Sequence, residues 1–391
     1  MRRLRKAGDG IRPGCRTRRS DRLAMALALV SAVLAAVATP AAQVRRPTNR
    51  PPAPRAARHP PLKAIFEPVY YPADADISDV FFVDAEVGWA GGHHSTGAGD
   101  GGFIIATRDG GKTWSLQFGN RNSATGAIAR LCFVDATHGW AEQVDGTLLR
   151  TTDGTRWTVA GTVDPLSQIA FVTPEKGFSL KPGQGIQATA DGGRTWRLVY
   201  LCDPQAIAFA PDGTTGYAIG RAPGSRRAVI ARTTDAGERW TTVGVLPDTN
   251  VSDVSLAFTD STTGYLRAGA VLKMTSDGGR TWRTAPVSVP YDTSKLAVAG
   301  EVAWIIGSHA FTYTLDGGVR WFERKVDFPS HVISFSLVSA DTGYIAGCHG
   351  MIYRYRVVPF DYSVPGMIVI PGMTTFVTDA PTSVGSARPS G

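Results

Sequence analysis

Short apolar stretches alternate with polar turns through the middle of the chain, and one turn pattern recurs. In it an apolar strand ends in T-x-D-G-G-x-T-W or a close variant, and a second strand follows. The six copies are TRDGGKTW (107–114), TTDGTRW (151–157), TADGGRTW (189–196), TTDAGERW (233–240), TSDGGRTW (275–282) and TLDGGVRW (314–321). Successive aspartates are 44, 38, 44, 42 and 39 residues apart. This period is typical of one four-stranded propeller blade.

A second pattern, offset from the first, joins an apolar strand through a polar turn and a Gly-aromatic step to the next strand. Its copies are FVDAEVGW (82–89), FVDATHGW (133–140), FVTPEKGF (171–178), FAPDGTTGY (209–217), FTDSTTGY (258–265), VAGEVAW (298–304) and LVSADTGY (337–344). Each is expected to be the inner hairpin of a blade. Seven hairpins against six aspartate turns predict an all-β, seven-bladed β-propeller whose seventh blade lacks its turn.

The segment before the first blade is expected to complete the seventh. No aspartate turn follows MIYRYR (351–356), whereas KAIFEPVYY (63–71) precedes blade one and has the pattern of a strand. Pairing these two segments would close the ring and leave no open sheet edge inside it.

The repeated aspartates are interpreted as structural. A short carboxylate in a tight turn accepts backbone N–H bonds, and the glycines adopt angles closed to other residues. The Trp that follows buries a large apolar surface. Because they lie on separate blades, the six are too far apart to act as catalytic pairs; they are Asp109, Asp153, Asp191, Asp235, Asp277 and Asp316.

The formal charge of +8 is concentrated at the N-terminus. Residues 1–42 combine a basic region, an apolar run and a small-residue stretch, which is typical of an export signal. Residues 43–61 are rich in Pro and Arg and predict a disordered linker. The propeller is assigned to 62–356, and 357–391 to a partly disordered extension in which MIVIP (367–371) is a possible strand. Residues 64–391 are net negative, which argues against nucleic-acid binding.

The loops between second and third strands, and those between blades, are where a ligand is expected. They contain four arginines in blades four and five: Arg221, Arg226, Arg227 and Arg267. They also contain His94, His309 and His349 in blades one, six and seven. The arginines are candidates for binding a partner, and the histidines are candidate metal ligands if three of them converge on one ion. The competing interpretation is that the arginines are only solvated and the histidines only fill turns. No metal-binding cysteine spacing, phosphate-binding glycine loop or nucleophile elbow occurs, so no cofactor is predicted.

Together the two repeats resemble those of the Asp-box (bacterial neuraminidase repeat) propellers. Among these the chain is most similar to the photosystem II stability and assembly factor-like family, over residues 62–356. The resemblance implies Asp-box turns between third and fourth strands, export, no catalytic activity and an arginine-rich patch for a partner. The arginines named above match that patch only by loop position. The expected partner is a protein, either a membrane-complex subunit or an acidic segment, bound by a monomer.

The resemblance implies a location in the periplasm or outside the cell, or in the thylakoid lumen of a photosynthetic organism. The alternative is a carbohydrate-active enzyme, since sialidases share the Asp-box turn. Their Arg-Ile-Pro signature is absent here, but a pair of loop carboxylates could serve a glycosidase. The candidates are Glu142, Asp145, Asp203, Asp248 and Asp292.

Overall fold

The computed structural model describes residues 62–70, 75–94, 101–119, 126–225, 227–246, 249–251, 253–289, 295–359 and 375–377. All regular elements in these ranges are β-strands, which confirms the all-β class. The described part of the chain contains no helix long and apolar enough to cross a membrane. The predicted export signal and linker lie outside the described residues.

The strands form seven antiparallel sheets, each a blade of the propeller. Blades one to six each take four consecutive strands. Blade one has β2 (Ala75–Phe82), β3 (Gly88–His94), β4 (Gly102–Thr107) and β5 (Ser115–Phe118); blade two has β6 (Ile128–Phe133), β7 (Gly139–Gln143), β8 (Thr147–Thr151) and β9 (Thr158–Thr162); blade three has β10 (Ile169–Phe171), β11 (Gly177–Lys181), β12 (Gly185–Thr189) and β13 (Arg197–Leu201). Blade four has β14 (Asp203–Phe209), β15 (Gly216–Arg221), β16 (Ala228–Thr233) and β17 (Thr241–Leu246); blade five has β18 (Val254–Phe258), β19 (Gly264–Ala268), β20 (Val271–Thr275) and β21 (Arg283–Thr284); blade six has β22 (Leu296–Ala299), β23 (Val302–Ile306), β24 (Ala310–Thr314) and β25 (Phe322–Lys325).

Blade seven joins both ends of the propeller sequence. It contains β26 (Val332–Ser339), β27 (Thr342–Gly347), β28 (Ile352–Pro359), β1 (Leu62–Tyr70) and β29 (Thr375–Val377). Strand β1 runs antiparallel to β28, from the pair Leu62 and Pro359 to the pair Tyr70 and Ile352, so the pairing expected for 63–71 is present.

The C-terminal extension contributes a described strand to blade seven. Strand β29 pairs with the outer edge of β1. The possible strand at 367–371 lies outside the described residues. Thr and Val are β-branched and Phe is aromatic, so residues 375–377 suit a strand, and β1 would otherwise present an unpaired edge at Lys63–Ile65.

The Gly-aromatic repeat builds the core between neighbouring blades. An aromatic ring on the second strand of one blade stacks on a Phe from the first strand of the next, with centroids 3.5 Å apart for Trp140 and Phe171 and 3.6 Å apart for Tyr217 and Phe258. The same contact joins blade seven to blade one, where the rings of Tyr344 and Phe82 are 3.4 Å apart.

The six repeated aspartates lie in the turns between the third and fourth strands of blades one to six. In blade three, Asp191 accepts hydrogen bonds from the backbone N–H groups of Arg194 and Thr195, both at 3.0 Å. Gly193 has a φ of 92°, and a Cβ there would lie 2.6 Å from the side chain of Leu148 in blade two. Each turn therefore stabilises its own hairpin and also packs on the preceding blade.

Candidate functional site

The loops divide between two faces of the propeller. The aspartate turns lie beside the turns between first and second strands, as shown by the bonds from Gly154 N to Thr137 O and from Gly192 N to Glu175 O. The opposite face carries the connections between blades and the loops between second and third strands. We call this second face the loop face, and it contains every described arginine and histidine that the sequence singled out.

Two of the four candidate arginines are neutralised. Arg221 donates to Asp203 at 3.1 Å, and Arg267 is 3% exposed and binds both carboxylate oxygens of Asp253 at 2.9 and 2.6 Å. Arg227 is exposed between β15 and β16, and Arg226 lies outside the described residues. The expected patch of four exposed arginines is therefore corrected, because the carboxylates beside two of them cancel their charge.

The three candidate histidines have separate surroundings. His309 lies 3.0 Å from a carboxylate oxygen of Asp327, and the Nδ1 of His349 lies 3.0 Å from the hydroxyl of Ser330. The ring of His94 packs against a phenylalanine ring. Within the described ranges, no group of three or more His, Cys, Asp or Glu side chains is placed to hold a metal ion.

The carboxylates considered for glycoside hydrolysis are occupied with other contacts where they are described. Asp145 accepts a hydrogen bond from a backbone N–H two residues later, and Asp203 pairs with Arg221. Glu142 is buried in β7. Asp248 and Asp292 lie outside the described residues.

A cavity of about 480 Å³ opens on the loop face where the first strands of blades two to six begin. We call it the channel cavity. Two cations that line it have partly exposed side chains, 43% exposed for Arg130 and 36% exposed for Lys295. The polar side chains around them include Gln168, Gln205 and Ser255. The cavity therefore combines two partly exposed cations, each with a buried carboxylate beside it, with the exposed carboxylate of Asp253 and several hydrogen-bonding groups.

Buried Asp79 fixes the position of Lys295. The carboxylate lies 2.5 Å from Lys295 Nζ, and it also accepts hydrogen bonds from Ser334 Oγ and from the backbone N–H of Leu131 at 2.8 Å. These groups belong to blade one, blade two, blade seven and the connection into blade six. One carboxylate thus links four blades and holds an ammonium group at the cavity.

Glu142 occupies the corresponding place behind Arg130. Its side chain is fully buried, and one carboxylate oxygen lies 3.7 Å from Arg130 Nε. Burial raises the pKa of Glu142 from 4.5 to about 7, although the charge of Arg130 acts in the opposite direction. Near neutral pH, this carboxyl group therefore exists in both protonation states.

A second cavity, of about 460 Å³, lies between the loops of blades three and four. The Arg221 and Asp203 pair lines it, together with Cys202 and the loop residues 222–225. Burial raises the pKa of the Cys202 thiol to about 12, so the group is a neutral thiol at physiological pH.

The sequence did not identify the two cations of the channel cavity. Arg130 lies within a first strand, and Lys295 follows a connection without a repeat, so neither belongs to the loops in which a ligand was expected. The sequence signal that could have identified Arg130 is its position in the strand IARLCF, where a charged residue lies among apolar ones. Guanidinium and ammonium groups are able to donate hydrogen bonds to carboxylates and phosphates.

No family model matches this chain, and no curated protein matches it. Among solved structures, it is similar to YCF48 bound to D1 peptide, with a TM-score of 0.54 and 21% identity over 76% of this chain and 97% of that one. It is also similar to YCF48 from Cyanidioschyzon merolae, with a TM-score of 0.55 and 16% identity over 75% of this chain and 98% of that one. A streptogramin B lyase structure has a TM-score of 0.56 and 11% identity over 76% of this chain and 98% of that one. These similarities show the fold, and the chain is a seven-bladed β-propeller.

Proposed function

We propose that this protein is an exported, non-catalytic propeller that binds an acidic segment of a protein partner at its loop face. The observation that carries the proposal is the pair of cations at the channel cavity, Arg130 and Lys295, each placed beside a buried carboxylate. Exposed Arg227, between β15 and β16 of blade four, adds a further cation to the loop face. Export rests on the basic and apolar pattern of residues 1–42, and the partner is expected in the cell envelope or an equivalent compartment.

The comparisons support this proposal at the level of architecture. One similar propeller was solved with a peptide, which shows that a propeller of this shape is able to present a peptide-binding surface. An assembly or scaffold role for a membrane complex follows the sequence resemblance to photosystem II assembly factors. The described loop carboxylates, by contrast, are buried or engaged in hydrogen bonds and ion pairs.

The test is binding of a fluorescein-labelled hexa-aspartate peptide to the full chain, followed by fluorescence anisotropy. We expect the Arg130→Gln, Arg227→Glu variant to lose at least about tenfold in affinity at low salt, since charge at an interface governs association and partner choice. Its melting temperature should stay within a few degrees of the parent value, and added salt should weaken binding by the parent protein.

The matched control is Arg239→Glu. Arg239 lies on the same blade as Arg227, but in the aspartate turn on the opposite face, and its side chain is 88% exposed. Equal binding by the parent and the double variant, or an equal loss with Arg239→Glu, would refute the loop face as the binding surface. Hydrolysis of any fluorogenic glycoside by the purified chain would refute the non-catalytic assignment.

A further inference from the structure

Glu142 is a buried carboxyl group that the blade pattern does not require. It lies in β7, two residues after the stacked ring of Trp140, and its side chain is fully buried. In four other blades, the residue two positions after the corresponding ring is buried and apolar, namely Leu180, Ile219, Ile306 and Ala346. An apolar side chain therefore satisfies the packing at this position, and packing alone does not account for a carboxyl group in blade two.

Arg130 is the charged neighbour of this carboxyl group. The two residues lie directly opposite each other on the antiparallel strands β6 and β7, so their side chains project from the same face of the blade. One oxygen of Glu142 lies 3.7 Å from Arg130 Nε. Glu142 is fully buried, whereas the side chain of Arg130 is 43% exposed and lines the channel cavity. The carboxyl end of the pair is therefore enclosed in the blade, and the guanidinium end reaches the cavity.

Among the described residues, Arg130 is the only charged side chain that acts on Glu142. On the other flanking strand, Glu142 lies opposite Leu148, which is apolar and fully buried. From the connection into blade three, the peptide groups of Leu166 and Ser167 face the carboxylate, and like Arg130 they favour its ionised form. Burial favours the neutral form and outweighs these groups, which raises the pKa of Glu142 to about 7.

The proton on Glu142 decides the net charge that the pair presents to the channel cavity. With Glu142 ionised, the pair with Arg130 is neutral, and with Glu142 protonated it carries one positive charge. An anion at Arg130 therefore binds more strongly to the protonated form, and by linkage its binding favours uptake of a proton. The pair of Arg267 and Asp253 in the same cavity does not change its charge near neutral pH, because Arg267 holds the pKa of Asp253 below its ordinary value.

We propose that capture of an anion at Arg130 is coupled to protonation of Glu142. The buried carboxyl group takes up one proton from the solvent as an anionic segment binds, and it releases the proton as the segment leaves. A fall in pH through neutrality therefore strengthens capture, and a rise promotes release. This inference rests on the proposed function, because it concerns the regulation of the same cavity and the same acidic segment.

The first test measures the affinity of the labelled hexa-aspartate peptide for the full chain by fluorescence anisotropy from pH 6 to 9, where the peptide stays ionised. We expect the dissociation constant of the parent to rise about tenfold across this range, because the pair loses its net positive charge. Glu142→Gln should keep the affinity that the parent has at pH 6, since the amide does not ionise. Glu142→Leu introduces the residue type of blade three and should give the same result, which shows that the effect does not depend on how glutamine packs.

Histidines on the loop face are the competing source of pH dependence, because they gain charge on protonation. The control is His309→Gln combined with His349→Gln, which should still show the fall in affinity between pH 7 and 9. Equal pH dependence in the parent and in both Glu142 variants would overturn the inference and leave the binding surface standing. Failure of the parent to bind the peptide at any pH would instead overturn the proposed function, and this inference with it.

The second test uses no peptide. It follows the titration of Glu142 by NMR of the full chain labelled with carbon-13 at the glutamate carboxyl carbons, with the resonance assigned from Glu142→Gln. Arg130→Gln removes the opposite charge and should raise the pKa of Glu142 by about one unit. The matched control is Arg156→Gln, in the aspartate turn of the same blade on the opposite face, which should leave that pKa unchanged. An unchanged pKa in Arg130→Gln would overturn the coupling whether or not the peptide binds.

Discussion

Buried carboxylates decide which basic residues are available on the loop face. Asp79 and Glu142 lie behind Lys295 and Arg130 and leave these cations partly exposed, whereas Arg267 is itself buried and has its charge cancelled by Asp253. A paired cation is therefore accessible to solvent where its carboxylate is the buried partner, as with Asp79 and Glu142. It is inaccessible where the cation itself is buried, as with Arg267.

The first prediction concerns the pH dependence that Glu142 causes. Its pKa in the folded protein, about 7, lies above the ordinary value of 4.5, so the folded state keeps a proton that the unfolded state releases. The resulting stability is fully present below pH 4.5 and is lost as the pH rises through about 7. We expect up to about 3 kcal/mol of such loss, given about 1.4 kcal/mol per pKa unit.

The measurement is urea unfolding of the parent and of Glu142→Gln from pH 4.5 to 8. The glutamine stays uncharged, so the free energy of unfolding of the variant should lack this loss. Identical pH dependence in the two proteins would show that Glu142 does not titrate with a raised pKa.

At the scale of elements, blade seven differs from the other six in both connection and edge. Its outer strands come from opposite ends of the propeller sequence, and β1 pairs with β28 over eight positions. The fourth strand is therefore held by hydrogen bonds and packing without a hairpin turn. Closure of the ring depends on a segment that is distant in sequence.

The second prediction tests this closure by truncation. Deleting 43–71 removes β1 and should lower the melting temperature by on the order of 10 °C or more, because β28 and the aromatic contacts of Phe66 lose their partner strand. Deleting 43–58 leaves β1 intact and should have little effect. Differential scanning calorimetry of both variants provides the comparison, and equal melting temperatures would contradict the role assigned to β1.

At the scale of the whole molecule, the ring is joined a second time around the channel. Asp79 connects blades one, two and seven and the start of blade six through Leu131, Ser334 and Lys295. The strand pairing of blade seven closes the outer part of the ring. The Asp79 network closes the inner part, at the same junction.

The third prediction is that Asp79→Ala lowers the free energy of unfolding by about 3 to 5 kcal/mol, because it leaves a positive charge and buried donors without their partner. Asp79→Leu combined with Lys295→Met should cost less than the sum of the single changes. The control is Asp327→Ala, where the carboxylate is 82% exposed and pairs with His309. Urea unfolding gives these values, and a loss below about 1 kcal/mol for Asp79→Ala would contradict the network.

The sequence by itself determined the repeat, the blade count and the strand that closes the ring. Aspartate turns and Gly-aromatic hairpins are local patterns, since their hydrogen bonds join residues only a few positions apart, as in the contacts of Asp191 with Arg194 and Thr195. The stacked aromatic pairs between neighbouring blades recur at equivalent positions because each blade packs on the next in the same way. The sequence also shows that the seventh aspartate turn is missing, which predicted that 63–71 completes blade seven.

Only the tertiary structure decided which charged groups matter. The contact of Asp79 with Ser334 spans 255 positions and that with Lys295 spans 216, so no local pattern could reveal either. The sequence placed Arg267 in a loop with the other candidate arginines, yet it lies in strand β19, beside Asp253, and is buried. Charge and burial at the loop face depend on the ring bringing distant blades together, whereas the blades themselves depend on contacts within each repeat and with its neighbours.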